Sequence, residues 1–262
     1  MIPSMYLLIS EMYYRREKAR RHGQLKQELM QSITKQVPFL RDHLLYLAYA
    51  GSRSYGTETA ASDVDLRGIT FAPWNMVLGL DTYEQTILEV PDMVVYSLKK
   101  YMQLAMKGNP NILELLFIER DDTLVLTPYG EELRENRQLF VTKQVFHSFG
   151  GYAIRNIRRL SERSAANYDG KDASHLIRLL QTGKELLTDG EMQVKRPNWQ
   201  ELLSIKQGEW PLDELLAYAD KCFAEMEQAH ERTRLPDEAD REAIDALLIR
   251  LQTEFYGKHL KL

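Results

Sequence analysis

AYAGSRSYGTETAASDVDLRGITFAP, residues 48–73, carries a strand end, a small-residue loop and the start of a second strand in one continuous run. The strand-like AYA stops at Gly51-Ser52, the loop supplies serine, threonine and glycine, and Asp63-Val64-Asp65-Leu66 opens the next strand. Side chains alternate along a strand, so Asp63 and Asp65 are expected on one face, with Val64 and Leu66 on the other. Two carboxylates this close repel unless a cation sits between them. Paired hard oxygens suit Mg²⁺, which takes one or two carboxylates and completes its shell with substrate phosphates. Gly51 lets the backbone approach a phosphate, and the N–H groups and hydroxyls of Ser52 and Ser54 can donate to its oxygens. A phosphate loop and a metal pair are therefore expected side by side. Arg53 and Arg67 flank them in sequence, with the guanidinium geometry that suits phosphate; for Arg67, pairing with Asp65 or another acid at the strand end is the alternative.

Outward from this stretch, the short runs LLYLAYA (44–50), DVDLRGITF (63–71), TILEV (86–90) and MVVYSL (93–98) read as strands separated by turn-forming residues. After Ser97 a 3.6-residue period returns in LKKYMQLAM and NILELLF. From Lys143 onward nearly everything reads helical, broken at Gly190, Pro197, Gly208 and Pro236. Ahead of the sheet, residues 11–36 read as an amphipathic helix weakened near Gly23. Its basic cluster Arg15, Arg16, Lys18, Arg20 and Arg21 is either a solvated face or a contact for RNA phosphates. The expected fold is α+β: a small mixed sheet with helices over residues 1–140, followed by a helical domain over 141–262, with the site in the cleft between them.

Composition narrows the function classes. With 34 Lys and Arg against 38 Asp and Glu, the net charge of −4 argues against a basic nucleic-acid coat, although a local basic cleft can still hold an RNA terminus. At 44% hydrophobic residues the 262-residue chain can bury a core. One cysteine, Cys222, excludes an internal disulfide framework and a cysteine-rich zinc site, which fits a reducing compartment. MIPSMYLLIS precedes its basic residues, the reverse of a secretory signal, so a cytoplasmic location is expected. The longest apolar run, near Leu44–Ala50, is far short of the ~20 residues of a membrane helix. His43, His147 and His259 lie in no metal-ligand pattern, and neither a nucleophile elbow nor a Gly-Lys-Ser/Thr phosphate loop is present.

The helical half adds a second group of candidates. Lys171, His175 and Arg178 are spaced by four and three, which projects them from one helix face; they would meet a triphosphate or an RNA end if that face turned to the metal pair. Arg155, Arg159 and Arg163 recur every four residues but sit among acids, the pattern of surface pairs. In NPNILELLF, Asn111 and Glu114 have capping-box spacing, and Glu114 is a site-adjacent candidate as well. Tyr55 and Tyr168 could stack on a base.

Gly-Ser, ten residues, then Asp-hydrophobic-Asp-hydrophobic resembles the signature of the polymerase-β-like nucleotidyltransferase superfamily. GSRSYGTETAASDVDLRGI, KGNPNILELLF (107–117) and YDGKDASHLIRLLQTGKELL (168–187) together resemble its RNA-repair-associated branch, linked with RNA ligase and polynucleotide kinase-phosphatase systems. The resemblance implies that Gly51 and Ser52 bind the triphosphate of an NTP and that Asp63 and Asp65 hold two Mg²⁺ ions, or Mn²⁺ in their place. A third carboxylate is implied on a neighbouring strand: Asp92, opening DMVVYSL, or Glu89, since Pro91 blurs the strand start. The implied reaction moves an NMP from NTP to an acceptor such as an RNA end and releases pyrophosphate. Transfer to a protein hydroxyl uses the same chemistry, and a non-catalytic nucleotide- or RNA-binding component would use the same cleft.

Overall fold

The computed structural model describes residues 23–59, 62–161 and 168–259. The chain divides between His43 and Leu44 into two compact units. In the first, described residues 23–36 form helix α1 and Leu40–His43 the short α2, whose His43 ring nitrogen lies 2.9 Å from the Phe39 carbonyl oxygen. The basic cluster of residues 15–21 lies outside the described residues.

The second unit, Leu44–Leu262, holds a five-stranded mixed sheet. Its strands are β1 (Leu44–Tyr49), β2 (Asp65–Thr70), β3 (Gln85–Leu88), β4 (Asp92–Ser97) and β5 (Thr123–Leu126), in the order β3-β4-β2-β1-β5. The pairs are antiparallel except β2 with β4, which run parallel with Asp65 opposite Asp92. Strand β1 is buried at all six positions, as expected for a strand covered on both faces, whereas β4 alternates between buried and accessible positions. The α+β expectation is met. Strand β5 was not among the expected strands: TLVL is only four residues long, follows the charged run Glu119–Asp122, and becomes a strand by pairing with the already buried β1.

Between the strands lie α3 (Gly51–Tyr55) and α4 (Trp74–Leu78), and after them α5 (Leu98–Ala105), α6 (Pro110–Leu113) and α7 (Pro128–Glu135). Then come α8 (Gln144–Ser161), α9 (Gly170–Asp189), α10 (Trp199–Lys206), α11 (Leu212–Arg232) and α12 (Arg241–His259). Helix α9 is the central rod. Asp169 caps it by accepting from the Lys171 and Asp172 amides, and it buries Ala173, Leu176, Ile177, Leu179, Leu180, Leu186 and Leu187. Helix α12 returns to the sheet end: Phe255 stacks on Phe71 with centroids 3.9 Å apart, and the Tyr256 hydroxyl donates to the Ala72 carbonyl at 2.7 Å. One hydrophobic core runs from Leu45 on β1 through α9 to Tyr256. The first residues of β2 and β4 and the N-terminal turn of α9 therefore belong to the same compact unit.

Candidate active site

The loop between β1 and β2 is shaped by one backbone position. Ala50 is extended and donates its N–H to the Asp65 carbonyl at 2.8 Å, and Gly51 then turns with φ +61° into α3. A side chain at Gly51 is doubly excluded: its Cβ would adopt a left-handed conformation and lie 2.0 Å from Asp65 Oδ2. Glycine is what allows the loop and the carboxylate to approach. Gly51→Ala is expected to push Asp65 aside and lower any turnover by roughly 10²-fold, the usual cost of a displacement near 1 Å at a reacting centre, with ~1–2 kcal/mol of stability lost from the left-handed turn. Initial rates and thermal melts on the pair of proteins check both figures.

Of the loop side chains, Ser52 faces a cleft of about 370 Å³. Ser54 is buried and donates its hydroxyl to the Gly51 carbonyl at 2.9 Å, so it braces the turn. The Arg53 guanidinium lies over the Tyr49 ring, 4.2 Å from its centroid.

Asp63 and Asp65 both line that cleft. Strand β2 begins only at Asp65, so the two meet because the loop runs straight into the strand, not because both stand on one strand face. Asp92 is Asp65's partner across the parallel pair, and its Oδ1 accepts from Arg67 at 3.2 Å. The alternative carboxylate, Glu89, is exposed in the turn between β3 and β4. Burial holds the Asp65 carboxyl above the usual range. The Asp92 charge raises it further, Arg67 opposes, and a hydrogen bond with Asp92 and the charge of Asp63 add to the rise. An excess of hard, mutually repelling oxygens is a donor set that fits Mg²⁺ or Mn²⁺. Among the described residues no group of three His, Cys, Asp or Glu side chains forms a ready-made metal site, and Asp92 also pairs with Arg67. Asp63 and Asp65 would hold a cation together with phosphate oxygens, the usual habit of Mg²⁺.

The opposite wall comes from α9 and α10. Lys171, Ser174, His175 and Arg178 of α9 and Leu202 and Lys206 of α10 line the same cleft, so the basic stripe faces the aspartates. Its members differ in character. Arg178 is 2% exposed, forms an ion pair with Glu114, lies over the Tyr55 ring 3.6 Å from the centroid, and donates to His175 Nδ1 at 2.9 Å. The Tyr55 hydroxyl donates to the other Glu114 oxygen at 2.8 Å. Burial pulls the Arg178 guanidinium down, but Glu114 and Tyr55 outweigh it and leave it raised, so its charge is spent inside the network. Glu114 is thus the buried counter-ion and not a capping-box member. Helix α6 starts at Pro110 with Asn109 as its N-cap, which leaves Asn111 inside the helix. Tyr55, expected as a base-stacking group, has one face under the guanidinium.

A guanidinium can only donate, so His175 Nδ1 is the acceptor and the ring is neutral with its proton on Nε2. Burial first, and then the Arg178 charge, lower the His175 pKa from 6.5 to about 4. An unfolded histidine binds a proton near 6.5 and the folded one only near 4. The contribution to stability is therefore complete above 6.5 and is lost as pH falls from there towards 4. The loss amounts to roughly 3 kcal/mol at one pKa unit per 1.36 kcal/mol. His175→Gln should flatten that arm of a melting-temperature profile between pH 7 and 4.5; an unchanged slope would place the titration elsewhere.

Lys206 carried no sequence signal, since α10 follows an irregular stretch and lies over thirty residues from the Lys171 end of the stripe, whereas Ser174 sits within the stripe on α9 and donates to the Leu202 carbonyl at 2.9 Å. Lys206 donates to the Thr57 carbonyl at 3.1 Å. Burial and then Lys171 lower its pKa, against the pull of Glu58 and Asp65. The second arginine stripe does not join the site: Arg155 lies over the Tyr152 ring, Arg159 pairs with Asp172 at 2.7 Å, and Arg163 lies outside the described residues.

No helix among the described residues is long and apolar enough to cross a membrane. A search of curated proteins returns no match. A family model described as RNA repair pathway DNA polymerase beta family matches residues 22–250, which takes in the loop, the three aspartates, Glu114 and both cationic helices. That match, spanning most of the sequence and agreeing with the resemblance drawn from Gly51-Ser52 and Asp63-x-Asp65, establishes that the chain belongs to the RNA repair pathway DNA polymerase beta family.

Proposed function

We propose that the protein is a nucleotidyltransferase that moves an NMP from an NTP to the hydroxyl of an RNA end and releases pyrophosphate. The observation that carries this reading is a single cleft with Ser52, Asp63 and Asp65 on one side and Lys171, His175 and Lys206 on the other. Residues 1–140 supply the carboxylates and the loop, and residues 141–262 the cationic wall. Mg²⁺ or Mn²⁺, when bound, supplies Lewis-acid polarisation of the phosphoryl oxygens and neutralises their charge.

The protein's own groups do the rest. The Ser52 hydroxyl and the loop amides donate to phosphate oxygens and fix the triphosphate for in-line attack. Asp92, beside Asp65, accepts the proton of the attacking hydroxyl as its oxygen bonds to the α-phosphorus and the bond to the bridging oxygen breaks. Lys171 and Lys206 offset the charge that gathers on the leaving pyrophosphate. Neutral His175 directs its Nε2–H into the cleft, a donor without added charge. Arg67 holds Asp92 and is placed to exchange it for a phosphate oxygen, whereas Arg53 and Ser54 support the loop from behind. With its thiol pushed up to about 11 by burial, Cys222 takes no part in this chemistry.

The test incubates the protein with Mg²⁺, each α-labelled NTP in turn, and RNAs with defined ends. Label on RNA with stoichiometric pyrophosphate supports the reading. Label on protein moves the acceptor to a protein hydroxyl. NTP binding with no transfer to either leaves a binding component and overturns the proposal.

A further inference from the structure

Trp199 opens α10 and is 42% exposed. Each of the other two tryptophans has a ring partner: Trp74 packs on Tyr256, and Trp210 packs on Tyr218 and donates its indole N–H to Ser204. Among the described residues no aromatic ring or hydrogen-bond acceptor takes the Trp199 indole. Spacings of three and four put Trp199, Leu202 and Lys206 on one face of α10, and the latter two line the cleft. Trp199 does not line it, and stands about 10 Å along the helix from Lys206 at 1.5 Å per residue.

Its place at the mouth is fixed from the other side by the loop. A Cβ on Gly56, the residue after α3, would lie 3.8 Å from both Trp199 Cβ and Lys195 Cγ. The Arg196 amide donates to the Tyr55 carbonyl at 3.1 Å, which ties this segment to the phosphate loop. Lys195 reaches Asp122 at 3.1 Å with its side chain still 44% exposed. An exposed indole beside a cation, one turn beyond the cleft wall, has the make-up of a single-strand nucleic-acid contact: stacking for the base and positive charge for the backbone.

We propose that Trp199 is a stacking platform for a nucleobase of a single-stranded RNA acceptor, with Lys195 beside its backbone. The word acceptor rests on the nucleotidyltransferase reading; the binding does not. The base belongs to the strand and not to the incoming nucleotide because the indole lies outside the cleft that faces Ser52 and Asp65.

The test measures anisotropy of a fluorescein-labelled twelve-nucleotide single-stranded RNA at fixed salt on the full chain, Trp199→Ala and Trp199→Phe, with NTP affinity measured separately on each. Removal of one stacked base contact predicts about 10-fold weaker RNA binding for Trp199→Ala, substantial recovery in Trp199→Phe, and unchanged NTP affinity. Where transfer is observed, the same factor should appear in KM for RNA and not in kcat. Equal RNA affinity in Trp199→Ala, a loss that Phe does not restore, no RNA binding by the native chain, or an equal loss of NTP affinity each overturn the proposal. RNA binding that depends on Trp199 in a chain that transfers nothing supports the platform and sinks the catalytic reading. Transfer to RNA indifferent to Trp199 does the reverse.

Discussion

Asp65→Asn is expected to lower nucleotidyl transfer by ~10³-fold or more while raising the melting temperature in metal-free buffer. The catalytic loss follows from the donor chemistry. A bound cation contributes several kcal/mol of charge stabilisation at the reacting phosphoryl, and each 1.36 kcal/mol is a factor of ten in rate. Asparagine keeps the shape but brings one neutral oxygen where a charged carboxylate stood. The rise in stability comes from the same carboxylate. Asp65 is partly buried, faces Asp92 across β2 and β4, and has Asp63 two residues away, with Arg67 as the opposing cation. Relieving one like-charge contact across a strand pair is worth ~0.2–1 kcal/mol, or about 1–3 °C for a chain of this size. Added Mg²⁺ should reverse the order, since a ligand that binds the folded state stabilises it and the native site binds it more tightly. Melts with chelator and with Mg²⁺, run beside transfer assays on both proteins, supply the check. A melting temperature that drops in chelator would make Asp65 a structural residue, and unimpaired transfer would remove it from the metal site.

The features readable in advance were those whose cause is local in sequence. Gly51-Ser52 and Asp63-x-Asp65 fall within fifteen residues, and the tight turn plus the approach to Asp65 Oδ2 admit glycine alone at position 51. The stripe Lys171–His175–Arg178 was readable because helical spacing alone puts three side chains on one face, and the fold then turned that face to the aspartates. What it could not convey is that the three do different things. Arg178 is silenced by Glu114, sixty-four residues away, and its guanidinium, added to burial, holds His175 in its neutral form. A local reading of Glu114 therefore arrived at a helix cap. Lys206 and Trp199 sit on a helix whose eight residues carry little amphipathic pattern, so only packing of the Gly170 turn against the Lys206 carbonyl reveals that α10 borders the site. Strand β5 follows the same logic, since TLVL acquires its state from β1.

Breaking the Glu114–Arg178 pair from one side is expected to cost about 3–5 kcal/mol, whereas replacing both partners should restore most of that stability without restoring activity. Arg178→Met leaves a carboxylate in a site where Glu114 is 6% exposed, with the Tyr55 hydroxyl as its hydrogen-bond donor. At ~2–4 °C per kcal/mol the melting temperature should fall by roughly 10 °C. Glu114→Gln strands the guanidinium instead, between the Tyr55 ring and His175. In Glu114→Leu/Arg178→Met no buried charge remains to be solvated, and apolar replacements of similar volume commonly equal or exceed a buried ion pair in stability. The double variant nevertheless lacks the donor that pins His175 Nδ1. Its imidazole can then turn and choose either tautomer, and it takes up a proton at a somewhat higher pH while still buried, so the single fixed Nε2–H tautomer is lost. Stability and catalysis thereby separate: the double variant should melt within about 1–2 °C of the native chain, transfer at least 10-fold more slowly, and lose activity on the acid side at a higher pH than the native chain, since the Arg178 charge lowers the His175 pKa more than Glu114 raises it. A double variant as unstable as either single one would show that the network contributes packing and not paired charge. Transfer that returned along with stability would show that the orientation of His175 is not what the network provides.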